Sequence, residues 1–495
     1  MKECETYDLI VIGGGPAGST VATLVAKRGH RVLLLEKDQF PRHQIGESLL
    51  PSTVHGICAL LGVKPELEAA GFPKKLGGTF RWGKNPEPWT FRFSTAGTLG
   101  EQENYAYQVE RSRFDQMLLA NAARCGVEVL QGCAAKSVLQ ENGRFCGVDF
   151  DHPIRGTVRA YSAFVADASG NTSPHSRLAG TREYSQFFQN VALYAYYENG
   201  KRLPPPNQGN ILCAAFGEGW FWYIPLSDTL TSVGAVVARE HAQRIREDPE
   251  TAMAYWIDCC PLIREYLGNA RRVEHGIYGK FRIRKDYSYC NTQFWQQGLL
   301  LVGDSACFVD PVFSSGVHLA TYSAMLAARS INTVLAGALP EDICFREFEL
   351  RYRREFSNFY QFLVAFYDAN QDEESYFWNA RSVLRTEERS NQAFVRLVAG
   401  VASNDRSLSS GASDFFDSRR GLRSIFHAVT CPDSPVPEGA QAQTAEFLRQ
   451  YGVEMQVMQQ AGRTGLHDLD KGLFAGGLCS SADGLSWQAA QVRVA

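Results

Sequence analysis

The sequence of 495 residues has no long apolar run, no CxxC pair and almost no net charge. No stretch approaches the roughly 20 consecutive apolar residues of a membrane span, which excludes a transmembrane helix. Met1–Thr6 lead straight into a strand pattern with no apolar signal region before it, so a cytoplasmic protein is expected. Fifty basic residues against 53 acidic ones leave −3, which gives no electrostatic case for nucleic acid or an anionic membrane as partner. The 13 cysteines are scattered from Cys4 to Cys479 without metal-site spacing, so no metal site and no CxxC redox centre is expected, only reduced, partly buried thiols. With 45% apolar and 21% charged residues, a disordered chain, a coiled coil and a collagen-like rod are all excluded.

What is present begins with Tyr7-Asp8-Leu9-Ile10-Val11-Ile12, a short apolar run of the kind that forms a buried parallel strand. Gly13-Gly14-Gly15-Pro16-Ala17-Gly18 follows, and Gly13, Gly15 and Gly18 satisfy GxGxxG. A helix pattern over Ser19–Arg28 and a second strand, Arg31–Leu35, lead to Glu36. Each part has a physical job. Gly13 makes the tight turn, Gly15 lets backbone approach a pyrophosphate, and Gly18 lets the helix pack on the sheet. The helix N-terminus offers its free N–H groups to the phosphates. Glu36 stands 18 residues after Gly18, near the spacing of an acid that holds a ribose hydroxyl. Only one GxGxxG occurs, so there is no second such site for NAD(P)H.

Three downstream features favour FAD over NAD. Tyr161–Asp167 with Ala168-Ser169-Gly170 is a strand ending in an acid and a glycine turn; Leu299–Val302 is another, ending in Gly303-Asp304; and Gln108-Val109-Glu110-Arg111 precedes a helix over Phe114–Ala123. Together they resemble the FAD-binding fold of aromatic hydroxylases, a Rossmann-type α/β fold. The resemblance implies that Gly13, Gly14, Gly15, Ala17, Gly18 and Glu36 hold the adenosine half of FAD. Asp304 and Arg111 then serve the flavin half.

The segment Gly219-Trp220-Phe221-Trp222-Tyr223-Ile224-Pro225 reads WxWxIP, and in a strand Trp220, Trp222 and Ile224 share one face. On composition alone this is a well-packed strand. Beside a flavin fold, it resembles the flavin-dependent halogenases, in which the two tryptophans keep organic substrate away from the flavin. Phe308 to Val317, FVDPVFSSGV, resembles that family's FxxPxxSxG segment and opens a helix, whose start carries unpaired N–H groups and partial positive charge. The resemblance implies a chloride site at Ser315 and Gly316, with Val317 against flavin. A simple helix cap at Ser314 or Ser315 is the alternative. It also implies an essential lysine in Gly71-Phe72-Pro73-Lys74-Lys75-Leu76-Gly77-Gly78, assigned to Lys75 with Lys74 as runner-up. The strap Phe40–Pro51, with Arg42 and Glu47, is implied to lie along the flavin.

Within the family the sequence is similar to the chondrochloren-pathway type. That implies chlorination through HOCl of a phenolic, tyrosine-like ring on a peptidyl carrier protein, with FADH2 from a separate flavin reductase and chloride as substrate ion. Free-tryptophan halogenases carry a glutamate where Phe313 stands here, which favours a phenol. The rival enzyme is an FAD-dependent aromatic hydroxylase that uses NAD(P)H; a prenyl-chain reductase and a silent flavoprotein share the fold. A monomer or weak dimer is expected.

The organisation expected is an FAD-binding unit over 1–335 that carries an inserted antiparallel sheet at about 185–240, where substrate binds. A helical C-terminal region over 336–430 and a Gly/Ser-rich, loosely held tail over 431–495 follow, with candidate helices at Ala442–Tyr451 and Val453–Gln460.

Overall fold

The computed structural model describes residues 6–82, 87–96, 102–185, 187–285, 288–371, 395, 397–401, 403, 405, 407–408 and 478–489. The apolar run Thr6–Ile12 is a central strand, flanked in parallel by Val32–Glu36 and by Gly156–Asp167. Glu128–Gln131 and Leu299–Leu301 extend this parallel set on its two sides, and the hairpin Ala134–Glu141/Arg144–His152 folds onto Gly156–Asp167. The ends of Thr6–Ile12 and Gly156–Asp167 are in register at Ile12 and Asp167, so both glycine turns open at the same edge. Ligands of open α/β sheets bind at this carboxyl edge. The helix Pro16–Ala26 starts with proline in its first turn, where the missing N–H costs nothing. It packs against Ser315–Leu335 and Arg111–Arg124.

The second sheet runs in the order Arg271–Arg272, Asn190–Glu198, Leu230–Ala238, Gly219–Pro225, Ile211–Phe216, Gly77–Arg81, Trp89–Arg92, with Arg282–Lys285 also on Asn190–Glu198. It is thus larger than the insertion expected at about 185–240. Gly77–Arg81 joins in parallel with Ile211 opposite Gly78, and so satisfies backbone groups that would otherwise be an open edge. One face, with Tyr194, Tyr196, Trp220, Trp222 and Ile224, joins the main core. The other, with Leu193, Phe221 and Tyr223, is covered by Ala242–Glu247, Pro249–Cys259 and Pro261–Tyr266.

The helical region contains Glu341–Gln371, whose rings at Phe345, Phe348, Tyr352, Phe356 and Phe359 are buried with Leu363 as a core stripe. The tail departs from expectation. Leu478–Ser480 and Trp487–Ala489 form a hairpin, and Trp487 is buried with its Nε1 donating to Ser330 Oγ at 2.9 Å. The cause lies in the buried Arg329, whose guanidinium donates to Asp405 at 2.6 and 3.1 Å and to the Gly484 carbonyl at 2.6 Å. Both partners come from beyond residue 400. The candidate helices Ala442–Tyr451 and Val453–Gln460 lie outside the described residues. Among the described residues no helix is long and apolar enough to cross a membrane.

Two predictions follow from this packing. Gly234 faces Trp222 across the second sheet, and a Cβ there would stand 2.2 Å from the indole. Gly234→Ala should therefore displace the ring, cost ~1–3 kcal/mol and change tryptophan emission; unchanged emission and an unchanged urea midpoint would contradict the register. Asp405→Ala strands the Arg329 charge and should cost about 3–5 kcal/mol in urea unfolding, because a buried cation loses its partner.

Candidate active site

At the edge where the two glycine turns meet, a cavity of about 630 Å³ runs from Gly13, Gly15 and Glu36 to Trp220, Trp222, Ser314 and Gly316. That is within the usual range for a cofactor cleft. Gly13 has φ +102°, and a Cβ on Gly18 would lie 1.8 Å from the Gly13 carbonyl, so both glycines are needed for the turn and helix to close. A Cβ on Gly15 would meet only Arg42 at 3.5 Å, so the backbone here is open toward the cavity. Glu36 is buried and accepts from the N–H of Gly14 at 2.6 Å and of Asp38 at 2.9 Å. Ala17 lines the cavity; Gly14 and Gly18 stand behind it and shape the turn.

The strap lies along the cavity from Arg42 to Ser48 and is fixed by buried ion pairs. Arg111 binds Asp115 bidentately at 2.7 and 3.0 Å and donates to the Ile45 and Gly46 carbonyls. Arg42 reaches the same carboxylate at 3.1 Å. These two arginines line the cavity while holding the strap in place. Asp304 lies on the cavity wall, and burial pushes its carboxyl up to about 6 against the pull of Arg284, Arg111 and Arg182.

A network the sequence did not reveal ties the strap to the tryptophan face. Tyr196 Oη donates to Glu47 Oε1 at 2.8 Å and lies 2.8 Å from His43 Nε2. Burial lifts Glu47 to about 7, while burial and the cations Arg282, Arg111 and Arg42 drive His43 down to about 3. Glu47 Oε2 is buried without a protein partner. Strand alternation puts Tyr194 and Tyr196 on one face of Asn190–Glu198, but no local signal marks the contact of Tyr196 with a strap residue 149 positions away.

Trp220 and Trp222 are buried, with ring centroids 6.3 Å apart, and both line the cavity. Trp222 Nε1 donates to Ser232 Oγ at 3.2 Å, and Trp220 lies 6.1 Å from the ring of Trp82 on its other side. The pair is a wall between the cavity and an aromatic cluster that includes Phe80, Trp82, Phe313 and Phe366.

The structure separates the two lysines. Lys74–Lys75 is a two-residue strand on Ala106–Tyr107, so the side chains point opposite ways. Lys74 is exposed over the ring of Tyr105 at 4.5 Å. Lys75 is 2% exposed, and its Nζ donates to the Leu49 carbonyl at 3.0 Å and to Ser314 Oγ at 3.4 Å. Burial pulls its amine down from 10.5 to about 7. Ser314 precedes the helix Ser315–Leu335 in a left-handed conformation, φ +61°, and its side chain makes no capping bond. The cap alternative is therefore not realised: the Ser314 hydroxyl serves Lys75 instead. Ser315 is buried with its Oγ unpartnered, and Gly316 and Val317 follow on the cavity side. Ser314 is the serine of FxxPxxSxG, and the sequence offers it only as a helix cap, not as a partner of Lys75. One residue past Val317, His318 faces away from the cavity and bridges Ser52 at 2.9 Å and Glu355 at 2.8 Å.

The glycine cradle, the buried acid at Glu36 and the strap fit FAD. Comparison with known proteins agrees. The tryptophan halogenase family profile matches residues 8–102 and 95–444. A tryptophan 2-halogenase of Chondromyces crocatus is 35% identical over 77% of this chain and 71% of its own length. A 1H-pyrrole-2-carbonyl-[peptidyl-carrier protein] chlorinase of Pseudomonas fluorescens is 30% identical over 74% of this chain and 84% of its own. The solved structure of the myxobacterial chondrochloren halogenase CndH, described as a variant of FAD-dependent halogenases, superposes with a TM-score of 0.75 at 55% identity, covering 98% of this chain and 100% of that one. A dinucleotide cleft walled by paired tryptophans, a buried lysine beyond it, and matches over most of the chain place this protein in the tryptophan halogenase family of flavin-dependent halogenases.

Proposed function

We propose that this halogenase chlorinates a phenolic, tyrosine-like ring presented on a peptidyl carrier protein, and that Lys75 delivers the halogen. The observation that carries the reading is the amine of Lys75, buried beside the halide turn and joined to it through Ser314. FAD, bound in the cleft as FADH2, supplies the electrons with which O2 and halide become a hypohalous acid; in this family a separate reductase provides it.

The chain's own residues divide the remaining work. The N–H groups of Ser315 and Gly316 begin a long helix and attract chloride through its partial positive charge. Trp220 and Trp222 hold the organic ring away from the cavity, so direct hydroxylation has no path and the small neutral oxidant must travel. This favours halogenation over an NAD(P)H-driven hydroxylase. At neutral pH an amine with a pKa of about 7 is half unprotonated. The free amine takes chlorine from HOCl with release of water, and the ammonium form donates a hydrogen bond to HOCl; either one aims the oxidant.

Phe313 supports the phenol. It is buried among Phe80, Phe362 and Phe366, so position 313 offers no carboxylate to steady a ring cation. A phenol stabilises that cation through its own oxygen. The carrier rests on the relative named for a carrier-bound pyrrole and on the likeness to the chondrochloren enzyme. The relative named for tryptophan makes indole the competing substrate.

The test is mass spectrometry of carrier-loaded tyrosine, free tyrosine and free tryptophan incubated with enzyme, FAD, reductase, NADH, chloride and air. Chlorination of the tethered ring is expected to exceed that of either free amino acid at least tenfold; efficient chlorination of a free amino acid would overturn the substrate reading. Lys75→Ala should oxidise FADH2 at near the wild-type rate while losing chlorinated product by at least about 100-fold, the pattern of a group that acts only in transfer. Lys74→Ala should stay within about twofold, because that side chain faces solvent. Wild-type product from Lys75→Ala would remove the lysine from the mechanism.

A further inference from the structure

Two cysteines far apart in sequence face each other behind the halide turn. Tyr289–Asn291 and Cys307–Phe308 are antiparallel strands, with Cys290 directly opposite Cys307. The N–H of Asn291 donates to the Ala306 carbonyl at 2.8 Å, which makes the next pair along, Cys290/Cys307, a non-hydrogen-bonded position. There antiparallel side chains come closest, with Cα atoms about 4.5 Å apart, inside the span a disulfide accepts. Both are free thiols, 4% and 1% exposed.

Their surroundings differ from those of an inert core thiol. Arg353 Nη1 donates to Cys290 Sγ at 3.3 Å, and the same guanidinium is held by Glu349 at 2.6 Å and by the Asn291 carbonyl at 2.9 Å. The hydrogen bond from Cys307, with Arg353 beside it, lowers the Cys290 thiol, while burial raises Cys307 well above its ordinary value. One sulfur is thus prepared to attack and the other to donate a proton. By contrast, burial alone pushes Cys58 up to about 12, and burial with the nearby Asp342 and Glu347 does the same to Cys344.

The pair is shut off from bulk oxidants, and a single strand separates it from the cavity. Phe308, next to Cys307, lines the cavity from the strand's other face, and a Cβ on Gly316 would lie 2.8 Å from its ring. We propose that Cys290 and Cys307 form a redox site, a cross-strand dithiol that closes to a disulfide by consuming hypohalous acid that escapes transfer. The inference rests on the halogenase reading above. The Cys290 thiolate attacks the chlorine of HOCl, forming S–Cl and releasing hydroxide. Cys307 sulfur then displaces chloride from Cys290, forming S–S, and its proton neutralises the hydroxide to water. HOCl is reduced by two electrons to chloride, and two thiols are oxidised to one disulfide.

The experiment uses wild-type enzyme with FAD, reductase, NADH, air and catalase, without organic substrate, in parallel with chloride and with nitrate. Samples are acid-quenched, alkylated, digested and searched by mass spectrometry for the Cys290–Cys307 disulfide peptide. A companion tube carries a 1,3-diketone trap that reports hypohalous acid. The expected result is halogenated trap and at least tenfold more disulfide with chloride than with nitrate, reversed by dithiothreitol. Halogenated trap with both cysteines still alkylated would overturn this inference and leave the halogenase reading standing. Equal disulfide in chloride and nitrate would also overturn it, since the oxidant would then need no halide. An unhalogenated trap with no disulfide in chloride would overturn this inference, and the halogenase reading falls with it only if carrier-loaded tyrosine also stays unchlorinated, because Lys75 can hold the oxidant back from a free trap.

Discussion

A buried amine bonded to one carbonyl and one hydroxyl is the constraint on which the proposed halogen transfer depends. Lys75 is held by the Leu49 carbonyl of the strap and by Ser314 at the head of the long helix. A lowering from 10.5 to about 7 corresponds to roughly 5 kcal/mol of preference against the charged form, in order of magnitude. The sign is definite. Between about pH 7 and 10.5 the unfolded lysine carries a proton that the folded one has shed, so this residue's contribution to stability rises with pH across that window. In the proposed mechanism the neutral amine is the form that accepts halogen.

Three segments must meet for that amine to be useful, and each is pinned separately. The strap is clamped by Arg42 and Arg111 on Asp115. The long helix is joined to the strap's far end by the Ser52–His318–Glu355 chain, with His318 and Glu355 both buried. The tryptophan wall is set by sheet register, with Gly234 leaving room for the Trp222 ring and Glu47–Tyr196 linking the same sheet back to the strap. Hydrogen bonds among buried residues therefore hold the strap, the second sheet and the long helix together around the cavity.

Much of this was legible in local pattern. Gly13, Gly15, Gly18 and Glu36 announced the cleft because turn, helix and acid lie within one short βαβ unit. Strand alternation correctly put Trp220, Trp222 and Ile224 on one face. What was hidden depends on contacts distant in sequence. Nothing near Ser314 shows that its hydroxyl turns to Lys75, 239 residues away, instead of capping its own helix. The choice of Lys75 over Lys74 came from family likeness and gains its physical basis only from the pairing with Ala106–Tyr107. The tail reads as polar and glycine-rich, yet Trp487 and Gly484 complete the surroundings of a buried Arg329 that no sequence window contains. The cysteines escaped notice for the same reason: spacing rules look along the chain, and Cys290 meets Cys307 across a sheet.

The central claim is that Lys75 presents a buried amine, half unprotonated near pH 7, to Ser314 at the edge of the cavity. Its most direct test is the pH titration of lysine side chains labelled with ¹³C at Cε, with the Lys75 signal assigned by its loss in Lys75→Met. The account predicts one resonance that titrates near pH 7 while exposed lysines such as Lys74 titrate near their ordinary value of about 10.4. A Lys75 resonance that titrates above pH 10 with the rest would contradict it, because the amine would then be a solvated cation unable to carry halogen at neutral pH.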